Sequence, residues 1–261
     1  MIKRLQSITN KISSSIAVVG ILVSWQLLSA VKIVPKYMLP SPLDVIRALI
    51  LDFPLLMHHA RFTLLEAFFG LTIGVLLGFA IAVLMDRFEI IYKAIYPVLV
   101  ITQTIPTVAI APLLVLWLGY GMAPKITLIV IVTFFPITVG LLDGFMSADV
   151  DTIKLLRSMK ASRGQIFRHI KLPSALSHFF AGLRISVSYS VVGAVIAEWL
   201  GGYSGLGVYM TRVKKSYAFD KMFAVILLIS VISLLLMWGV TTVQKFSMPW
   251  TNNESDLKQE T

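Results

Sequence analysis

Six stretches of the chain are apolar almost without interruption, and short polar or proline-bearing segments separate them. They run from Ile16 to Val34, Phe62 to Met85, Ile95 to Leu118, Lys125 to Phe145, Gly182 to Leu200 and Met222 to Val243. A helix crosses the hydrocarbon core of a bilayer with about 20 mostly apolar residues. The pattern therefore predicts an all-α polytopic membrane protein with six transmembrane helices. Residues 1–15 read as an N-terminal tail, 16–245 as one transmembrane domain with a polar segment at 146–173, and 246–261 as a C-terminal tail. Between the first two spans, Pro35, Pro40, Pro42 and Pro54 divide the chain into short pieces. Ser41 to Leu49 reads as a short amphipathic helix at the membrane surface, with Ser41 as N-cap and Pro42 at the first helical position.

The polar and small residues inside the spans refine this picture. Gly70, Gly74 and Gly78 recur at spacing four, followed by Ala82. They share one helix face and let another backbone approach closely, which favours packing within the chain over a dimer seam. The third span holds Pro97, Pro106 and Pro112 together with Thr102, Gln103, Thr104 and Thr107. Prolines free backbone groups that must be satisfied inside protein or beside a wet cavity, so this span is a candidate lining of a pathway. Hydroxyls bonding back to their own helix would account for the threonines equally well, though not for Gln103. Pro136 marks a kink in the fourth span.

Composition excludes whole classes of protein. The chain is 57% hydrophobic and 14% charged, with a mean hydropathy of +0.85, whereas soluble domains are about 25% charged. No room remains for a sizeable soluble catalytic domain. The absence of cysteine removes disulfides, thiolate nucleophiles and cysteine-held metals. The formal net charge of +10 reads as membrane topology and not as nucleic-acid binding. Of the 23 basic residues, 14 fall on the side that carries both termini and the 146–173 segment, and nine on the other, which places that first side in the cytoplasm. A charged start before an apolar run also suits a signal peptide. The run is long for one and more spans follow, so a retained first helix is expected.

An enzyme reading finds little support. Gly202-Tyr203-Ser204-Gly205 resembles the GxSG nucleophile motif of rhomboid-like intramembrane proteases, but such a serine needs a histidine base on a later span, and His58, His59, His169 and His178 all precede it. A glycine-rich turn is the simpler reading. Adjacent His58 and His59 point apart on a helix or a strand and make a poor metal pair, so no metal site is expected. No phosphate loop of the GxxxxGK[ST] type occurs, so uphill transport driven by ATP would need a partner to bind the nucleotide. An ion-coupled secondary carrier is the rival transporter class. It calls for a carboxylate or histidine near mid-depth, whereas Glu66 and Glu198 stand near span ends.

Residues 154–173 carry the most specific signal. Ser162 is a candidate cap for a short helix from Arg163 to Ile170, ended by Pro173. Ile166, Phe167 and Ile170 share a face, with Arg163, Arg168 and Lys171 around them. Such a helix suits either a groove in a soluble partner or the lipid headgroups. The segment resembles the EAA loop of ATP-binding-cassette importer permeases: Ile170, Leu172 and Pro173 match the end of that motif in register, and Ala161-Ser162 match the residues after its glycine. Lys154, Leu155 and Leu156 stand at the Glu-Ala-Ala positions, and Lys160 stands at the glycine, which tolerates backbone angles that lysine does not. Leu39-Pro40-Ser41-Pro42, Ile105-Pro106, Ala111-Pro112-Leu113, Leu118-Gly119-Tyr120-Gly121, Phe134-Phe135-Pro136, Glu198-Trp199-Leu200-Gly201 and Gly205-Leu206-Gly207 resemble further stretches of the same family. They look like the subfamily that imports nitrate, sulfonates, taurine and thiamine-type pyrimidines. Met85-Asp86-Arg87-Phe88, Arg157-Ser158-Met159 and Gly207 to Arg212 look closest to the branch for the hydroxymethylpyrimidine precursor of thiamine.

The resemblance implies a type I importer permease (MetI-like) fold in a bacterial plasma membrane. It implies a second permease copy, two cytoplasmic ATPase subunits that bind ATP and Mg, and an extracytoplasmic binding protein, with no cofactor on this chain. Lys160, Ala161, Ser162, Arg163, Gly164, Gln165, Ile166, Phe167, Arg168, Ile170 and Pro173 would form the ATPase-coupling element, with Phe167 as its apolar knob. Gln103, Thr104, Thr107, Ser186, Tyr189, Ser190 and Glu198 are the expected pathway residues. No basic residue stands at mid-depth in the spans, which favours a neutral or cationic solute over an anion. Nitrate, sulfonate, taurine and riboflavin remain alternative solutes.

Overall fold

A computed structural model describes residues 16–17, 19–31, 35 and 38–249. The expected tail at 1–15, residues 250–261 of the expected tail at 246–261, and Val18 and Lys32 to Val34 of the first span lie outside the described residues. The described chain is helical, in the order α1 (Val19–Ala30), α2 (Pro42–Leu51), α3 (Phe53–Arg87), α4 (Glu89–Thr104), α5 (Thr107–Leu118), α6 (Met122–Met146), α7 (Val150–Ser158), α8 (Arg163–Ile166), α9 (Leu172–Glu198), α10 (Leu206–Lys215) and α11 (Phe219–Ser247). Four runs are long and apolar enough to cross a bilayer: α3, α6, the continuous stretch Arg163–Glu198 and α11. The pair α4 and α5 meets the same test only when taken together, and it is bent by 102°, as a broken span or a re-entrant loop is. α1 is a shorter apolar helix within the expected first span.

Local sequence explains where these elements start and break. At α2, the Ser41 hydroxyl accepts from the Asp44 N–H at 3.2 Å while the Asp44 carboxylate accepts from the Ser41 N–H at 3.3 Å, a reciprocal cap with Pro42 just inside the helix. The third span is not one helix. Ile105 precedes a proline and is held extended at ψ 121°, so α4 ends there and α5 starts afresh after Pro106. Pro97 and Pro112 are absorbed inside α4 and α5. The fifth span also differs from expectation. Pro173 does not end the short helix that begins at Arg163. A π turn over Phe167–Lys171 joins α8 to α9, with Pro173 in the first turn of α9. Proline lacks the N–H that an α-helical ladder requires, and the wider π register passes over that gap.

Two compact units are present among the described residues. The part up to His59 together with Tyr209–Leu228 forms one, and Ala60–Val208 with the chain from Ile229 forms the other. In the first, Val45 and Ala48 of α2 pack on Ala224 with Trp25 and Phe223 beside them. In the second, α6 and α9 pack along their length. A Cβ placed on Gly144 would overlap Ala175, and one on Gly182 would overlap the Pro136 carbonyl, so the two backbones nearly touch. Ala82, Met85, Leu99, Ile137, Leu141, Leu142, Phe145 and Ala175 form the core beside this crossing.

Candidate functional site

The segment after α6 folds as a helical hairpin. Asp149 caps α7 by accepting from the backbone N–H groups of Asp151 at 3.3 Å and Thr152 at 3.0 Å. The Thr152 hydroxyl, and after it these backbone bonds, hold the Asp149 carboxyl below its ordinary 3.8. α7 stops in a Schellman turn: the Ala161 N–H reaches the Leu156 carbonyl at 2.9 Å and the Lys160 N–H reaches Arg157 at 3.0 Å. Lys160 sits at the left-handed position of that turn, with φ 60°. The backbone thus adopts the glycine-type conformation although the residue is lysine. Ser162 then caps α8, accepting from the Gln165 N–H at 3.3 Å while Gln165 Oε1 accepts from the Ser162 N–H at 2.7 Å.

The side chains of this hairpin divide by exposure. Ser162, Arg163, Gly164, Gln165 and Arg168 are exposed, Ala161 and Ile170 are half-buried, and Ile166 is buried at 5%. Phe167 is half-buried, and its ring packs on Phe145 with centroids 5.2 Å apart. It is therefore tied to the helix core and does not stand free. Freely exposed apolar surface lies on Leu155 and Met159 instead, at the end of α7. Sequence reasoning passed over α7, whose signal was Asp149 as a cap before an amphipathic turn. Lys171 pairs with Asp86 at 2.6 Å and ties the π turn to the end of α3.

The expected pathway residues fall into two environments. Gln103 and Thr104 are exposed and Thr107 is half-buried, all at the bend between α4 and α5. The Thr102 and Thr104 hydroxyls donate to Leu99 and Ile101 carbonyls of their own helix at 2.6 and 2.8 Å. On α9, Tyr189 is exposed, but Ser186 and Ser190 are buried inside the helix packing. Ser186 donates to the Thr133 carbonyl of α6 at 2.8 Å, and Ser190 to Val187 of its own helix at 2.8 Å. Glu198 is 1% exposed and accepts from Thr63 and from the Gly207 N–H, so it serves the packing of helix ends. The glycine face of α3 lies on α6: a Cβ at Gly70, Gly74 or Gly78 would strike Ile129, Thr133 or Ile137 in turn.

Two charge arrangements escaped sequence reasoning. Lys125 pairs with Glu66 at 2.6 Å, both nearly fully buried. The available signal was a lone acid in one apolar span and a lone base at the start of another. In the unit of α2, Asp52 accepts from the Tyr209 hydroxyl at 2.5 Å and pairs with Lys221 at 2.8 Å. Burial raises the Asp52 carboxyl, but the Lys221 and Tyr209 bonds outweigh it and hold the group below 3.8. Burial and the Asp52 carboxylate push the Tyr209 hydroxyl up. Gly202-Tyr203-Ser204-Gly205 is a turn, with Gly202 and Gly205 at positive φ and Tyr203 exposed.

Comparison with known proteins places this architecture. The family model described as binding-protein-dependent transport system inner membrane component matches residues 70–246. A probable ABC transporter permease protein of Haemophilus influenzae is 39% identical over 224 residues, covering 85% of this chain and 91% of the relative. The formylaminopyrimidine transport permease protein ThiX of Halalkalibacterium halodurans is 36% identical over 235 residues, covering 90% of this chain and 94% of the relative. An inward-facing structure of the MetNI methionine ABC transporter superposes with a TM-score of 0.66 at 19% identity, covering 74% of this chain and 96% of that one. The hairpin beside the long α9, the bent third span and these matches agree: the chain belongs to the binding-protein-dependent inner-membrane transport family, and is an ABC importer permease, a multi-pass transporter subunit whose ATP hydrolysis is carried out by a separate subunit.

Proposed function

We propose that two copies of this chain, two cytoplasmic ATPase subunits and an extracytoplasmic binding protein form an importer for a thiamine-precursor pyrimidine of the hydroxymethylpyrimidine or formylaminopyrimidine type. The observation that carries the substrate class is the 36% identity, across 90% of the chain, to a permease named for formylaminopyrimidine. The α7–α8 hairpin and both termini face the cytoplasm, in keeping with the bias of basic residues. Exposed Arg163, Gln165 and Arg168 meet the ATPase, and Phe167, braced on Phe145, carries the push into the core. Because α8 runs through the π turn into α9 without a break, displacement of the hairpin passes directly to a spanning helix. Rigid-body rocking of the spans then exposes the pathway alternately to either side.

Gln103, Thr104 and Thr107 at the α4–α5 bend, with Tyr189 of α9, line the pathway in this reading. Amide, hydroxyl and phenol groups suit a neutral heteroaromatic ring, which needs hydrogen bonds and an aromatic face and no counter-charge. Lys125, the basic residue at the start of α6, is buried with the carboxyls of Glu66 and Glu198 and offers no free positive charge to the pathway. Ser186, Ser190 and Glu198 support the pathway from inside the helix packing. The test is a ligand screen on the cognate binding protein with hydroxymethylpyrimidine, formylaminopyrimidine, riboflavin, taurine and nitrate. Tight binding of the pyrimidines alone is the expected result. Tight binding of the anions alone would overturn the assignment.

A further inference from the structure

Two carboxylates and one ammonium are shut together at the end of α9 remote from the hairpin. Glu66 of α3 is 3% exposed, Lys125 of α6 is 5% and Glu198 of α9 is 1%. Lys125 Nζ donates to Glu66 Oε1 at 2.6 Å. Glu198 accepts on both oxygens, from the Thr63 hydroxyl at 2.8 Å on Oε1 and from the Gly207 N–H at 2.6 Å on Oε2. Thr63 Oγ1 in turn accepts from the Leu206 N–H at 2.9 Å, which directs the hydroxyl proton toward Glu198. Both Glu198 oxygens are thus taken up as acceptors, which leaves neither free to carry a proton of its own.

Glu66 differs. Its carboxyl lies beside that of Glu198, and its second oxygen, Oε2, is buried without a hydrogen-bond partner among the described residues. With both carboxylates ionised, the cluster would hold a net negative charge in the interior, two like charges side by side and an orphaned acceptor. A single proton removes all three defects. Placed on Glu66 Oε2, it turns the orphan into an O–H donor aimed at Glu198 and leaves one carboxylate to balance the Lys125 ammonium. We propose that Glu66 and Glu198 form a buried proton-binding site, with the proton on Glu66 Oε2 donated to Glu198.

Among the described residues, the groups bonded to the pair come from α3, α6 and the start of α10. α6 contributes the Lys125 ammonium, α3 the neutral Thr63 hydroxyl, and the start of α10 the backbone N–H groups of Leu206 and Gly207. A metal ion fits poorly. The ammonium already occupies the cation position on Glu66 Oε1, and among the described residues no group of three His, Cys, Asp or Glu is placed to hold one. The turn before α10 closes over the site. Gly205 has φ +131°, and a Cβ there would overlap the Glu198 carboxyl. Loss of the proton therefore places a second negative charge beneath this turn and loosens the junction of α9 with α10. The inference is independent of the solute carried.

The test is infrared difference spectroscopy on the full chain in detergent, titrated from about pH 6 to about pH 9, alongside thermal midpoints over the same range. The wild type should show a protonated-carboxyl C=O band at neutral pH that fades as pH rises, with the midpoint falling while the band is present and levelling off once it has gone. Glu66→Gln, whose amide supplies the same donor permanently, should lack the band and hold its midpoint level across the range. Glu198→Gln should also lack the band, because Glu66 then ionises against Lys125. Absence of the band from the wild type, its survival in either variant, or an equal pH response of the wild type and Glu66→Gln would overturn the proposal. The wild-type titration decides the matter even where a variant fails to fold.

Discussion

Lys160 shows how one residue can depart from a motif while the backbone keeps to it. Its φ of 60° costs a non-glycine residue about 1 kcal/mol, and a β-branched residue more. Lys160→Gly should therefore match or exceed the wild-type thermal midpoint, while Lys160→Val should fall below it by roughly 1–2 kcal/mol of stability. Equal midpoints for the two variants would count against a strained turn. At Asp52 the prediction concerns pH. A carboxyl held below its unfolded value stabilises the fold above that value, and the contribution disappears as pH falls through the folded value. Asp52→Asn should thus lower the midpoint at neutral pH, and the gap to wild type should close below the ordinary 3.8. A gap that persists in acid would contradict the ion pair's role. The caps at Ser41 and Ser162 were legible in the sequence because a capping box is local, written in residues three apart. The Glu66–Lys125 pair was not, because 59 residues separate the partners and only helix packing brings them together.

At the scale of elements, apolar run length located the spans, and it failed where backbone chemistry overrode composition. The Ile95–Leu118 stretch is apolar enough for one helix, yet Pro106 disfavours helical angles at Ile105, which is extended, and the chain turns through 102°. The prolines announced a break; they carried no information on its angle, which neighbouring packing sets. The reverse held at Pro173, where a π turn let a helix continue past an expected stop. Helix α7 was missed because its polar composition outweighs a short amphipathic pattern. The spacing-four glycines of α3 were legible as a close-packing face, and the structure supplies their partner on α6. Gly74→Leu, which would drive into Thr133, should cost about 1–3 kcal/mol by overpacking. Gly239→Leu on α11 is the control, since nothing lies within 4 Å of a Cβ there. Comparable losses of thermal midpoint at the two sites would refute the α3–α6 seam.

For the whole molecule, the apolar composition and the hairpin serve one division of labour. A chain that is 14% charged and lacks a phosphate loop holds the membrane path, and the energy enters through a separate subunit. The exposed basic face at Arg163 and Arg168, continuous with α9, is where the two meet in the proposed mechanism. The proposed substrate class rests on resemblance alone, because the side chains proposed for the pathway, such as Gln103 and Tyr189, are generic hydrogen-bonding groups. The most direct measurement is uptake of labelled formylaminopyrimidine and hydroxymethylpyrimidine into proteoliposomes containing this chain, its ATPase and its binding protein. Uptake that requires both ATP and the binding protein, and that taurine and nitrate do not compete away, is the expected result. Uptake driven by an ion gradient without the ATPase, or ATP-driven uptake of the anions with none of either pyrimidine, would contradict it.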